Sequence, residues 1–378
     1  MKVYKTNEIR NIALIGGAKS GKTTVAEAML FEGGLLNRRG SIEDKNTVSD
    51  YREIELERQN SVFSTVMYTE YKGKKINIID TPGFDDFIGE VVAALSVADT
   101  AVMLVNAQNG VEVGTEITWR QTNKNNTPVI FAVNQLEHEK ANFEETLRQL
   151  RTQFGGNVTI LQYPVNEGHS FNSVIDLLQM KMLKFPEAGG KPEVLDIPAG
   201  EAAKAEDLHN ALIEKAAESD ESLMEAFFEN GSLTEEQLEK GLKAGIISRG
   251  LFPVFCMSAK HNKGIGRLME FICSSAPAPD EMPGVKTTNG KQLTCKATDP
   301  TSLQIFKVSI EEHLGEIAFF KVYAGEVTEA MDLVNSSNSG KERIPQLLLI
   351  AGKKREKVEK VSAGDIAATI KLKSTRTC

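Results

Sequence analysis

The sequence predicts an α/β protein whose doubly wound sheet is interrupted by a helical insertion and followed by an all-β barrel domain. Three observations carry this. Short β-branched runs alternate with longer amphipathic stretches over the first 165 residues, an acidic helical block follows, and beyond a Pro-rich break the strand-like runs are separated by Gly turns. A chain of 378 residues is longer than one hydrophobic core usually serves, so two or three domains are expected.

Taken in order, residues 11–15, 75–79, 100–105, 128–133 and 159–163 read as strands. Between them, residues 22–31, 84–96, 115–124 and 139–154 read as helices. From 166 to 250 the alternation gives way to a loop-rich stretch and then helical sequence. Within it, residues 201–240 carry twelve acidic against three basic side chains, a solvated face or a docking surface for a basic partner. The strand pattern resumes at 251–257, and a last helix follows Gly264-Ile265-Gly266. The expected division is a nucleotide domain at 1–165 and 251–275, an inserted subdomain at 166–250, a linker at 276–288 and a β-barrel domain at 289–378. The linker is marked by Ser274-Ser275-Ala276-Pro277-Ala278-Pro279. Runs at 303–309, 317–322, 346–350 and 366–370 supply the barrel strands.

The chemistry sits at strand ends. Ile15 runs into Gly16-Gly17-Ala18-Lys19-Ser20-Gly21-Lys22-Thr23, which satisfies G-x-x-x-x-G-K-[ST] between a strand and a helix. In such a loop the backbone N–H groups cradle phosphates, Lys22 brings a charge to the β/γ oxygens and the Thr23 hydroxyl can ligate Mg²⁺. A second strand ends in Asp80-Thr81-Pro82-Gly83, where Asp80 can hold the Mg²⁺ shell and the Gly83 N–H can reach a γ-phosphate. The 128–133 strand ends in Asn134-Gln135-Leu136-Glu137, at the place where guanine-binding proteins carry N-K-x-D. Ser258-Ala259-Lys260 follows the last strand, as a guanine-contacting element should.

Composition narrows the class. A net charge of −8 argues against a chain that coats nucleic acid with its whole surface. The cysteines Cys256, Cys273, Cys295 and Cys378 form no C-x-x-C pair, which fits a reducing, cytoplasmic setting. No apolar run approaches the length of a spanning helix, so no membrane association is expected. The five histidines, His138, His169, His209, His261 and His313, lack metal-ligand spacing. Trp119 reads as a packed helix residue. Lys353-Lys354-Arg355 lies in a stretch, 341–378, with ten basic and four acidic residues, and is either an RNA-phosphate contact or a solvated turn.

Nucleotide core, acidic insertion, Pro-rich linker and β domain together resemble bacterial elongation factor G. The likeness runs through Asn77-Ile78-Ile79-Asp80-Thr81-Pro82-Gly83, Ala141-Asn142-Phe143 and Phe319-Phe320-Lys321-Val322-Tyr323-Ala324-Gly325. Residues 50–58 are similar to the family's first switch. The resemblance implies a ribosome-associated switch that binds GTP/GDP with Mg²⁺ through Gly17, Ala18, Lys19, Ser20, Gly21, Lys22, Thr23, Thr24, Asp80, Gly83, Asn134, Gln135, Glu137, Ser258, Ala259 and Lys260. Thr23, Ser61 and Asp80 are the implied metal ligands. Implied partners are the factor-binding region of the large ribosomal subunit, its stalk proteins and rRNA, with tRNA and mRNA met indirectly through further domains. Family members are longer, so this chain looks like a fragment that ends with the second domain.

Four departures touch hydrolysis or base contact. The family's water-positioning His is replaced by Phe84, which cannot accept, donate or carry a proton. Lys19 stands where the family has Asp, and Gln59-Asn60-Ser61 stands where it has G-I-T. Gln135 and Glu137 replace the base-reading Lys and Asp; Glu137 keeps a two-oxygen acceptor on a longer stem. The expectation is a GTP-binding translocation factor with weak or absent hydrolysis. A conventional ribosome-stimulated GTPase and a ribosome protection factor of the tetracycline-resistance type are the alternatives.

Overall fold

The structure, a computed structural model, describes residues 2–287, 290–311, 315–373 and 375–377; His313 and Cys378 lie outside the described residues. The chain enters through β1 (Ile9–Ile15), every residue of which is buried, as a strand covered on both faces requires. The phosphate loop leads into α1 (Lys22–Glu32), followed by α2 (Glu53–Arg58) and the hairpin β2 (Thr65–Tyr71) and β3 (Lys74–Asp80). Then come α3 (Ile88–Leu95), β4 (Thr100–Asn106), α4 (Val113–Asn125), β5 (Val129–Asn134), α5 (Phe143–Phe154) and β6 (Val158–Ile160).

Several boundaries differ from the hydrophobic pattern for local reasons. α3 starts after Phe84 because Asp85–Phe87 form a separate 3-10 turn. α5 starts at Phe143, where the Asn142 side chain accepts the Glu145 N–H at 2.9 Å and caps the first turn. Neither α2 nor β2 is evident from periodicity.

The run 159–163, expected as one strand, is two. Leu161 divides it: its N–H donates to Val254 O in the main sheet and its carbonyl accepts from Leu177 N in the turn after Asp176. Beyond it, β7 (Gln162–Pro164), β8 (Ser173–Asp176), β9 (Lys181–Lys184) and β10 (Glu193–Leu195) form an antiparallel sheet in the order β10-β9-β8-β7. The helical sequence after it supplies α6 (Ala202–Ala217), α7 (Glu221–Asn230) and α8 (Glu235–Ser248). The part of the insertion expected to be helical is helical, and the part expected to be loop-rich carries a small sheet. Its strands are three or four residues long, too short for an alternating pattern to stand out.

β11 (Phe252–Cys256) and α9 (Ile265–Ser275) complete the nucleotide-domain sheet, whose order is β2-β3-β1-β4-β5-β11-β6, parallel except for β2. Trp119 packs from α4 onto Phe154 and Phe252, with ring centroids 4.5 and 5.1 Å away. No helix of the described residues is long and apolar enough to cross a membrane.

After α9 the Pro-rich segment lies against the protein. Ala276 and Ala278 are buried, and the Ala278 N–H donates to Glu281, which also pairs with Lys243 at 2.9 Å. The remainder of the protein is all-β: β12 (Val285–Lys286), β13 (Gln292–Leu293), β14 (Ser302–Glu311), β15 (Gly315–Ala324), β16 (Glu326–Thr328), β17 (Asp332–Val334), β18 (Lys341–Arg343), β19 (Leu347–Ala351), β20 (Lys354–Val358), β21 (Lys360–Ser362) and β22 (Ile366–Ile370). Five of these form an antiparallel sheet in the order β14-β15-β22-β19-β20; the rest pair as two-stranded ribbons.

The all-β domain meets the nucleotide domain through buried charge as well as apolar contact. Lys321 donates to Asp99 at 2.6 Å, and Asn11 donates to Asp99 and to the Gly364 carbonyl, both at 2.7 Å. Lys75 and Asn77 both donate to Asp365, at 2.7 and 2.8 Å. Each of these buried charges has a partner, which makes the relative placement of the two halves specific.

Candidate functional site

The C-terminal ends of β1, β3, β5 and β11 meet at one edge of the sheet, where a parallel sheet presents its ligand crevice. A cleft of about 1400 Å³ opens there. Its wall includes Lys19, Gly21, Lys22, Thr23, Thr24, Ser61, Asn134, Gln135, Glu137 and Lys260. Most of the residues expected from sequence thus converge on one cavity. Gly17, Ala18, Ser20, Asp80, Gly83, Phe84, Ser258 and Ala259 are not part of that lining; Asp80, Ser20 and Ala259 are tied to it by hydrogen bonds with Thr23 and Asn134.

At the phosphate end, Lys22 is buried and its Nζ donates to the carbonyls of Gly16 and Gly17 at 3.0 and 2.7 Å. Ser20 closes the loop by donating its hydroxyl to Gly17 O at 2.9 Å. Two glycines are required by space. A Cβ on Gly21, whose φ is +94°, would sit 2.3 Å from Asn134 Nδ2, and one on Gly83 would sit 2.4 Å from Lys22 Nζ and 2.7 Å from Ala18 Cα. The turn after β3 is therefore pressed directly onto the phosphate loop.

Beside Lys22 lies an acidic, hydroxyl-rich group. Thr23 Oγ1 donates to Asp80 Oδ2 at 2.7 Å, Ser49 Oγ donates to the same oxygen at 2.7 Å, and Ser61 Oγ is 3.1 Å from Thr23 Oγ1. Asp80 Oδ1 and both carboxylate oxygens of Asp50 are buried without a partner. Burial raises the Asp80 carboxyl above its ordinary value. Asp50 is pushed up to about 7 by burial and then by the charge of Asp80. Burial pulls Lys22 down to about 8. Two buried carboxylates with orphaned oxygens and two adjacent hydroxyls are a hard, all-oxygen set, which fits Mg²⁺.

At the other end, the Asn134 side chain joins two loops. Its Nδ2 donates to Ser20 O at 2.9 Å and its Oδ1 accepts the Ala259 N–H at 2.9 Å. Gln135, held at a φ of +65°, donates to Lys19 O at 2.9 Å and accepts from Asn106 Nδ2 at 2.8 Å. The neutral amide thus ties the base-side loop to the phosphate loop. Glu137 Oε2 is buried without a partner beside the cleft, an acceptor waiting for donors. Ser258 is fully buried and its hydroxyl accepts the His261 N–H, so it supports the loop from behind. Lys19 and Lys260 are exposed at the rim.

Phe84 is 42% exposed, on the turn that begins the 3-10 segment Asp85–Phe87. Its ring therefore is not absorbed into the core. Sequence reading did not find Ser49, Glu27 and Glu55. The two carboxylates of Glu27 and Glu55 are buried and hold the 40–63 segment by its backbone: Glu27 accepts from Gly40 and Val48, and Glu55 from Val62 and Phe63. No local pattern marks them, because their partners are brought by loop folding.

Comparison with known proteins agrees with this geometry. Residues 7–278 match the family described as elongation factor Tu GTP binding domain, and residues 300–377 match elongation factor G domain 2. A crystal structure of a protein from Thermus thermophilus is similar to this chain with a TM-score of 0.88 and 28% sequence identity, over 98% of this chain and 53% of that one. The chain spans about half the length of that solved protein.

Proposed function

The chain belongs to the elongation factor Tu GTP-binding-domain family, and from that premise we propose that it is the nucleotide-binding portion of a translation factor resembling elongation factor G, with weak or absent GTP hydrolysis. On this reading the nucleotide domain is 1–165 with 251–275, the insertion is 166–250, the linker is 276–288 and the second domain is 289–378. The partners are the large ribosomal subunit with its stalk proteins and rRNA, and the compartment is the cytoplasm.

The buried Lys22–Thr23–Asp80 cluster facing the cleft supports triphosphate binding. Mg²⁺, when bound, would neutralise phosphate charge, and Thr23, Asp80 and Ser61 are the residues that would hold it. Lys22, buried and held by the Gly16 and Gly17 carbonyls, brings a cation to the phosphates. Asn134 fixes the base-side loops, and the free Glu137 oxygen supplies the acceptor that the N–H edge of guanine needs.

The hydrolysis reading rests on Phe84, an exposed phenyl ring at the place where the resemblance puts the family's water-orienting His. A phenyl ring offers neither lone pair nor proton, and a group in that role typically contributes about 10²–10⁴-fold. Binding of GTP and GDP by the full-length factor, beside its turnover with and without ribosomes, tests both halves. Tight binding with turnover near the uncatalysed level is expected; fast ribosome-stimulated turnover would overturn the hydrolysis reading, and absence of guanine-nucleotide binding would overturn the whole.

A further inference from the structure

Strand β14 changes phase midway. Its pairing with β15 slips between Ile305 and Lys307, so Phe306 is an extra residue in the strand. Ile305 packs inside the all-β domain with Phe320 and Val322, whereas Phe306 joins Phe319 in the apolar cluster continuous with the nucleotide domain. Unbroken alternation would aim Lys307 the same way as Ile305. The bulge turns it toward the nucleotide domain instead, where its Nζ donates to Glu90 at 2.5 Å and to Ser64 Oγ at 3.0 Å. Glu90 in turn accepts the Ser64 N–H at 2.7 Å.

Four residues on, Glu311 shares that face of the strand. Its Oε1 accepts from Tyr51 Oη at 2.7 Å and from Arg52 Nη2 at 3.2 Å, and its Oε2 accepts from Arg355 at 3.0 Å. The Arg52 guanidinium lies over the rings of Tyr51 and Phe63, 4.8 and 4.7 Å from their centroids. One strand of the second domain therefore grips both ends of segment 51–64, the segment that carries Ser61 to within 3.1 Å of Thr23. The ion pairs are sheltered: the Lys307 and Glu311 side chains are 7% and 12% exposed. Sheltered, charge-assisted contacts of this kind resist screening in a way that surface pairs do not.

We propose that Lys307 and Glu311 form a two-point clamp by which the second domain holds the first switch shut over the phosphate end of the cleft, making them positioning residues for nucleotide retention. The retention half rests on the nucleotide-binding reading above; the clamp itself is a contact of the protein alone.

Tryptic cleavage after Arg58, which is exposed within the clamped segment, reads the clamp without nucleotide. Dissociation of a fluorescent GTP analogue reads retention. Glu311→Ala and Arg52→Ala are each expected to speed cleavage and release on the order of tenfold, and the double variant to fall well short of the product of the two, since they share the Arg52–Glu311 contact. Lys307→Met is expected to act in the same direction, and Arg52→Ala stands in for it if it does not fold. Unchanged cleavage, additive effects of Arg52 and Glu311, or acceleration matched by an equal loss of global stability would overturn the clamp. Faster cleavage with unchanged release would overturn its role in retention. If the wild-type protein holds no GTP analogue, the nucleotide reading fails, while the cleavage comparison still decides the clamp.

Discussion

Thr23 Oγ1 and Asp80 Oδ2 are 2.7 Å apart, the first on the opening turn of α1 and the second at the end of β3, joined by a direct hydrogen bond at the floor of the cleft. Parallel pairing of β1 with β3, with Leu14 opposite Asp80, places the two residues side by side although they are far apart in sequence. The bond holds the hydroxyl against one carboxylate oxygen, and the other, Asp80 Oδ1, has no partner.

Thr23→Val keeps the shape and removes the hydroxyl. The Mg²⁺-dependent part of nucleotide affinity is expected to fall by at least about tenfold, with affinity in excess chelator nearly unchanged. Calorimetry in Mg²⁺ and in EDTA separates the two; an equal loss in both would place Thr23 in packing and not in metal binding.

Asp50 gives a pH dependence whose sign is fixed. Its carboxyl is displaced from 3.8 to about 7, by burial first and by the Asp80 charge second. The folded state therefore prefers the neutral acid: the favourable contribution is complete below the unfolded value, declines as pH rises, and is gone above the folded value. Asp50→Asn, neutral at every pH, is expected to stabilise the metal-free, nucleotide-free protein at pH 8 by up to roughly 4 kcal/mol and to have little effect near pH 4. Denaturant unfolding at the two pH values measures it. The same variant is expected to weaken Mg²⁺ binding, because the destabilising negative charge is also what attracts the cation.

Legibility followed locality. The phosphate loop was readable because one strand, one loop and one helix contain it, and of its residues Lys19, Gly21, Lys22, Thr23 and Thr24 line the cleft. Asn134 and Ala259 were also readable, since the first ends the apolar strand β5 and the second lies just beyond β11, and the structure ties them together. Glu27, Ser49 and Glu55 were not. Their partners are backbone amides and a carboxylate on other segments, so nothing in their own neighbourhood distinguishes them from ordinary polar residues. The small sheet β7–β10 escaped for a related reason: strands this short owe their form to pairing rather than to pattern. The bulge at Phe306 is a third case, because periodicity alone would have turned Lys307 into the wrong environment.

On the proposed function, Phe84→His supplies a group able to orient water at a place that is already exposed, so no cavity or clash opposes it. Ribosome-stimulated GTP turnover is expected to rise by at least about tenfold, with nucleotide affinity unchanged. No gain under single-turnover conditions would show that Asn60 or Lys19, and not Phe84 alone, limits hydrolysis.

The pair Lys321–Asp99 tests what holds the two halves together. Both side chains are nearly fully buried, with 2.6 Å between Nζ and Oδ1, and Asn11 donates to the other Asp99 oxygen. Lys321→Met leaves Asp99 buried with one neutral donor, and breaking such a pair from one side typically costs about 3–5 kcal/mol. Lys321→Met with Asp99→Asn removes both charges and is expected to recover most of that loss, because desolvation is relieved along with attraction. Chemical unfolding provides the comparison: the single variant is expected to separate into two transitions as the all-β domain loses its seat, and the double variant to return to one. Equal destabilisation of both would mean that the pair contributes real attraction beyond the cost of its burial.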